Sequence, residues 1–133
     1  MRRFIAAFNT RDVDAWLAYF DPNGAFHSAF GAVGGEVYHG HDGLRRYQRD
    51  MEDAWGNKLR IEPEAYFDLG EQTLSFYALH GRGQHSGMEV AMRLAFVARW
   101  HDGLISYCRG YAHREDALAD LGLSEDDLEP IAP

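Results

Sequence analysis

The side chains best suited to moving a proton lie on one apolar stretch, Leu74 to Arg82. Read at every second residue, Leu74, Phe76 and Ala78 lead to His80 and Arg82, so a strand here ends an apolar row in an imidazole and a guanidinium. Histidine ionises at about 6.5, so His80 is able to give or take a proton near neutrality. The same spacing allows His80 a plainer role, hydrogen-bonded at a cavity rim. Arg82 suits either a carbonyl-bearing or anionic ligand or an ion pair with Glu89. Tyr47 and Ser28 are the hydroxyls placed to assist His80. Their plainer alternatives are core packing for Tyr47 and a local backbone hydrogen bond for Ser28.

The remaining reactive side chains point elsewhere. Parity with Phe26 puts His27 on the opposite face of its strand unless a bulge reverses it. His39 and His41 alternate around Gly40 in a loop, with no carboxylate at metalloprotease spacing, so no metal site is expected. Cys108 is the single cysteine, which excludes an internal disulfide, and its mid-strand position reads as a small buried hydrophobe. The sequence holds no G-x-S-x-G, Walker loop or dinucleotide fingerprint. Serine-hydrolase, nucleotide and nicotinamide chemistry are therefore poor fits, and no cofactor is expected.

These residues need elements to position them. Phe4, Ile5, Ala7 and Phe8 predict a helix that starts almost at Met1. Asp12 then caps a second helix carrying Val13, Trp16, Leu17 and Phe20 on one face, and Asp21-Pro22-Asn23-Gly24 ends it as a turn. Ala25 to Phe30 and Glu36 to His39 read as short strands around a turn at Gly31, Gly34 and Gly35. A third helix opens at Asp42-Gly43, with Leu44, Tyr47, Met51 and Trp55 as its apolar stripe and Gly56-Asn57 as its stop. From Leu59 the pattern is β, and Pro63 marks an edge or a bulge. Leu74 to Arg82, Met88 to Trp100 and Leu104 to Ala112 form three long strands with glycine-bearing turns, followed by a helix over Arg114 to Asp120. Met88 to Trp100 alternates most strictly, with Met92, Leu94 and Phe96 facing in. Helices first and an antiparallel sheet last give an α+β layout, in which aromatic stripes packed on the sheet leave a pocket lined by Phe8, Trp16, Phe26, Met51, Trp55, Phe76, Arg82, Met92 and Phe96.

Composition bounds the function. At 133 residues, 46% apolar and 14% aromatic, the chain suits one globular domain over 1–133. A net charge of −8 argues against nucleic acid and anionic membranes as partners. No apolar run approaches the roughly 20 residues of a membrane span, and the N-terminal MRRFIAAFN is too short an apolar stretch for a signal peptide, so a cytoplasmic location is expected. Tyr77, Leu79, Arg93, Ala95, Val97, Arg99, Tyr107, Arg109 and Tyr111 read as an outward sheet face of arginines and aromatics, which fits a homodimer interface.

The stretches RRFIAAFNTRDVDAW, YFDPNGAFH, YHGHDGLRRY, AFVARWHDGLI and RGYAHREDALADLGL, in this order, make the chain resemble the nuclear transport factor 2-like superfamily in its SnoaL-like, ketosteroid-isomerase-like branch. The resemblance implies a cone-shaped, curved antiparallel or mixed sheet wrapped around N-terminal helices and enclosing an apolar cavity, commonly in a homodimer. Members include isomerases, polyketide cyclases, dehydratases, epoxide hydrolases and binding proteins, so the fold informs shape more than activity. Ketosteroid isomerase uses a tyrosine, a protonated aspartate and an aspartate base. Phe4, Phe96 and Ser28 stand at those positions here, which removes that mechanism.

Two functional readings follow. One is a cofactor-free acid–base isomerase, cyclase or dehydratase acting on a hydrophobic carbonyl compound, with His80 as proton carrier and Tyr47 or Ser28 assisting. The other is a non-catalytic binding protein for a hydrophobic small molecule, or a dimeric adaptor module.

Overall fold

The computed structural model describes residues 2–10, 12–28, 37–55, 59–82 and 87–128. The expected glycine turn at Gly31, Gly34 and Gly35, the stop at Gly56-Asn57, and Ala29, Phe30, Glu36 and Gly83 lie outside the described residues. Helix α1 spans Arg2–Asn9 and α2 Val13–Leu17, and α3 spans Gly40–Trp55. The strands are β1 Phe20–His27, β2 Val37–His39, β3 Arg60–Asp68, β4 Gln72–Arg82, β5 Glu89–His101 and β6 Leu104–Tyr111. Helix α4, Arg114–Leu121, and a 3-10 turn at Glu125–Asp127 follow. No helix among the described residues is long and apolar enough to cross a membrane.

Local chemistry explains the boundaries. Asp12 caps α2 by accepting a hydrogen bond from the Asp14 backbone N–H at 3.1 Å, which satisfies one of the free donors of the first turn. Helix α3 buries Leu44, Tyr47, Gln48 and Met51 at three- and four-residue spacing and leaves Arg45, Arg46, Arg49 and Asp50 wet. The β5–β6 hairpin turns on Asp102 and Gly103, both at positive φ (52° and 80°), the two-residue turn whose twist matches the flanking strands.

The six strands run in the order β2-β1-β6-β5-β4-β3, with only β1 and β6 parallel. This overturns the cone implied by the resemblance. The sheet is open and mixed, neither closed nor strongly curled, with β2 and β3 as edges. Helices α1, α2 and α3 cover its inner face, and α4 packs on the outer one through Ala117, against Phe76, Ala95 and Val97. The α+β class stands.

Two further expectations change. Asp21-Pro22-Asn23-Gly24 does not end a helix but lies inside β1, where the register against β6 shifts between Phe20 and Ala25. Turn chemistry is used there as a bulge: Asp21 Oδ1 accepts from the Asn23 N–H at 2.8 Å, and a Cβ on Gly24 would lie 3.0 Å from the Ile105 carbonyl. The second change is the facing of β4. Ser75 lies opposite Phe96, Tyr77 opposite Leu94 and Leu79 opposite Met92, and directly paired residues share a face. Ser75, Tyr77 and Leu79 therefore point inward, whereas Leu74, Phe76, Ala78, His80 and Arg82 point outward. Pro63 marks both an edge strand and a register shift.

Candidate functional site

Between the helices and the inner sheet face lies a small apolar cavity. Helix α1 supplies Phe4, Ile5 and Phe8, α2 supplies Trp16, and α3 supplies Leu44 and Tyr47. The sheet supplies Phe20 and Phe26 from β1, Ile61 from β3, Phe96 from β5 and Cys108 from β6. The aromatics meet edge to face: Phe4 with Trp16 at 6.1 Å and 84°, Phe4 with Phe20 at 5.3 Å, and Phe26 with Tyr47 at 4.8 Å. Their rings leave about 20 Å³ to the centre of a water-sized sphere, room for about one water molecule.

Polar groups reach this cavity at few points. The Trp16 indole N–H is already committed to Gln48 Oε1 at 3.0 Å, and Gln48 Nε2 in turn donates to Glu52 Oε1 at 3.0 Å. Tyr47 is buried and hydrogen-bonded to Ser28. Burial pushes its hydroxyl well above the usual tyrosine range, and the Ser28 bond offsets this only in part. Burial also pushes the Cys108 thiol up to about 12. Both groups are protonated at neutral pH. The cavity thus presents neutral hydrogen-bond donors on an aromatic wall, and among the described residues it presents no base.

The model of the SnoaL-like domain matches residues 1–108, from α1 to the cavity-lining Cys108. The chain belongs to the SnoaL-like domain family. No curated protein matches its sequence significantly. Among solved structures it is similar to an NTF2-like protein of unknown function from Burkholderia pseudomallei, with TM-score 0.77, 19% identity, and 89% of this chain and 91% of that one covered. A hypothetical protein with a ketosteroid isomerase-like fold from Catenulispora acidiphila, in complex with trimethylamine, matches with TM-score 0.74 and 16% identity over 99% of this chain and 95% of its own. TerC, co-crystallised with polyporic acid, matches with TM-score 0.74 and 18% identity over 90% and 92% of the two chains. At these identities the structures establish a shared fold.

In this SnoaL-like domain the site residues expected from sequence divide. Phe8, Trp16, Phe26, Tyr47 and Phe96 line the cavity, with Ser28 beside Tyr47. Met51 is buried in the same core but does not line the cavity. The Trp55 side chain lies outside the described residues. His80 is corrected: its side chain is 55% exposed on the outer face, with Nε2 3.7 Å from Glu62. Arg82 is also outside, exposed and paired with Glu89 at 2.6 Å, as its alternative role required. Phe76 is on the outer face under the Arg114 guanidinium, 4.5 Å from its ring centroid. Met92 packs at the margin of the inner core and borders an outer cleft rather than the cavity.

That outer cleft, about 540 Å³, lies between the first half of β5 and α4. Its arginines are engaged within the chain, since Arg114 pairs with Glu64 at 2.9 Å and Arg93 lies 3.7 Å from the same carboxylate. His27 packs on Tyr107 at 5.3 Å, away from the cavity, and burial together with Arg109 and His39 lowers its pKa. His41 Nε2 lies 3.0 Å from the Phe20 carbonyl. Among the described residues no three His, Cys, Asp or Glu side chains gather as a metal site.

Sequence reasoning missed Phe4, Ile5, Phe20, Leu44, Ile61 and Cys108 as lining residues. For α1 the signal was present, because Phe4 and Phe8 are one helical turn apart and share a face. For Cys108 it lay in the β5–β6 hairpin, which sets Cys108 beside Ala98 on the face of Phe96.

Proposed function

We propose that the protein binds a small, largely apolar carbonyl compound in the cavity between its helices and inner sheet face, without transforming it. One observation carries this reading: among the described residues the titratable groups that line the cavity, Tyr47 and Cys108, are both protonated at neutral pH, and burial moves them further from ionisation. A carbonyl oxygen accepts from the Tyr47 hydroxyl, with Ser28 orienting it, while the aromatic wall takes up the apolar body. Acid–base isomerisation, cyclisation or dehydration needs a group that exchanges a proton near neutrality, and His80, the group expected to do so, is on the far side of the sheet. Proteins of the same fold crystallised with trimethylamine and polyporic acid support small-molecule uptake as the general use of this architecture.

The cavity admits about one water, so binding requires its wall to move. Helix α1, which contributes Phe4, Ile5 and Phe8, is the element to be displaced. We also propose that two copies of the chain pair through the part of the outer sheet face that α4 leaves uncovered.

The test joins native mass spectrometry of the purified protein to calorimetric titration with 4-ethylacetophenone. The expected results are binding of the probe, recovery of any co-purified compound unchanged, about tenfold weaker binding by Tyr47→Phe, and unchanged binding by His80→Ala. Chemical conversion of the compound on incubation would favour the catalytic reading. Absence of any bound compound together with no response to the probe would end the binding one.

A further inference from the structure

Two hydroxyls lie hidden one ring behind the cavity. Ser75 and Tyr77 are fully buried on the inner face of β4, and among the described residues neither Ser75 Oγ nor Tyr77 OH has a hydrogen-bond partner. The Ser75 hydroxyl is near enough to favour ionisation of Tyr77, against the larger opposing effect of burial, but the two do not meet in hydrogen-bond geometry. Even a bond between them would leave one O–H without an acceptor. A buried hydroxyl without a partner is unfavourable and rare enough in native proteins to call for an explanation.

The sheet register says what separates these groups from the cavity. Ser75 lies directly opposite Phe96 and Tyr77 opposite the next inward residue, Leu94. The Tyr77 ring packs against Phe96 with centroids 5.1 Å apart, and the other side of Phe96 faces the cavity and Phe26, 6.3 Å away. On β6 the residue directly opposite Phe96 is Gly110, which has no side chain to set against the ring. The Cys108 thiol, itself a lining group, is within electrostatic reach of both Tyr77 and Tyr47. A single aromatic ring with glycine at its back therefore stands between an apolar cavity and a pair of unanswered donors.

We propose that Phe96 gates a second, polar subsite, in which Tyr77 and Ser75 donate hydrogen bonds to an acceptor oxygen at the far end of the ligand. The proposal rests on the binding reading above and narrows the ligand class. The compound carries two acceptor oxygens on an apolar body, one met by Tyr47 and the other by Tyr77 and Ser75. When Phe96 swings aside, the ligand's second oxygen accepts the protons that have no acceptor in the closed state. Recognition then depends on a match of polar groups rather than on size alone.

The probes are 1,4-diacetylbenzene and 4-ethylacetophenone, which are close in size but carry two and one carbonyl groups. The wild type is expected to bind the diketone about tenfold more tightly. Tyr77→Phe and Ser75→Ala should reduce or erase that preference, while Tyr47→Phe should weaken both probes alike. Tyr77→Phe keeps the ring and removes only an unpartnered hydroxyl, so without ligand it should melt no lower than the wild type. A lower melting temperature would mean that the hydroxyl has a structural partner and would overturn the subsite. Equal binding of the two probes by the wild type, or a preference that survives both substitutions, would also overturn it while leaving the binding function intact. Binding of neither probe would remove both. In a crystal structure of the diketone complex, a carbonyl oxygen within hydrogen-bond distance of Tyr77 OH supports the subsite, and an ordered water retained there in its place overturns it.

Discussion

Cys108 pairs directly with Ala98 across the β5–β6 hairpin and with Phe26 across the parallel ladder, and 1% of its surface is exposed. Its folded-state pKa of about 12 exceeds the ordinary value of 9.0 because burial disfavours the thiolate. The unfolded chain therefore releases this proton first as pH rises. The stabilisation is complete below about pH 9 and is lost progressively between 9 and 12. Tyr47, also raised by burial, adds to the loss at the alkaline end. Calorimetric melting of the wild type should be insensitive to Cys108 ionisation up to about pH 9 and then fall. Cys108→Ala should show a shallower fall over pH 9–10, whatever its melting temperature at neutrality. Equal slopes for the two proteins would mean that the thiol is not held protonated by the fold.

At the level of elements, the junction of α1 with β3 ties two walls of the cavity together. The Asn9 side-chain amide grips an edge strand from both sides: Nδ2 donates to the Ile61 carbonyl at 2.8 Å, and Oδ1 accepts from the Ile61 N–H at 3.2 Å. Ile61 and the α1 aromatics line opposite parts of the same cavity, so this clamp holds the helix over it. Asn9→Ala should lower stability by roughly 1–3 kcal/mol and speed amide exchange at Ile61 and through α1, as read by hydrogen exchange. Unchanged exchange in α1 would show that aromatic packing alone holds the helix down. Element types were largely legible in the sequence, because α3 and β5 carry clean periods. The facing of β4 was not, because Leu74 and Phe76 on one side and Tyr77 and Leu79 on the other are all fully or nearly fully buried. A strand covered on both faces has no polar side to betray its orientation. One clue was present in the Arg82–Glu89 pair. Taken as cross-strand partners, these residues set a register that, three steps inward, brings Leu79 rather than Ala78 opposite Met92. The error of one residue moved His80 into a cavity it does not touch.

For the whole molecule, the outer sheet face is where the proposed second copy would pack. Helix α4 covers Phe76, Ala95 and Val97, leaving Arg99, Tyr107 and Arg109 toward β1. Some of those anchors are engaged within the chain: Arg109 lies over Tyr111 at 4.8 Å and near Asp120 at 3.6 Å, and Tyr111 donates to Asp120 at 2.8 Å. Sedimentation equilibrium should give twice the chain mass, and Tyr107→Glu should reduce it to the single chain. A wild type at the single-chain mass would remove the homodimer. The parallel pairing of Phe26 with Cys108 has another consequence, in the order of assembly. These two cavity walls come from opposite ends of the sequence, and neither the α1–α2 pair nor the β3–β4–β5 meander contains both. Local hairpins form early, while a contact between distant segments waits on the closure of a long loop. The cavity is therefore among the last features to exist as the chain folds. During synthesis it exists only after β6 has left the ribosome, so a nascent chain that has released β5 but not yet β6 can form its β4–β5 hairpin while offering no complete place for a ligand.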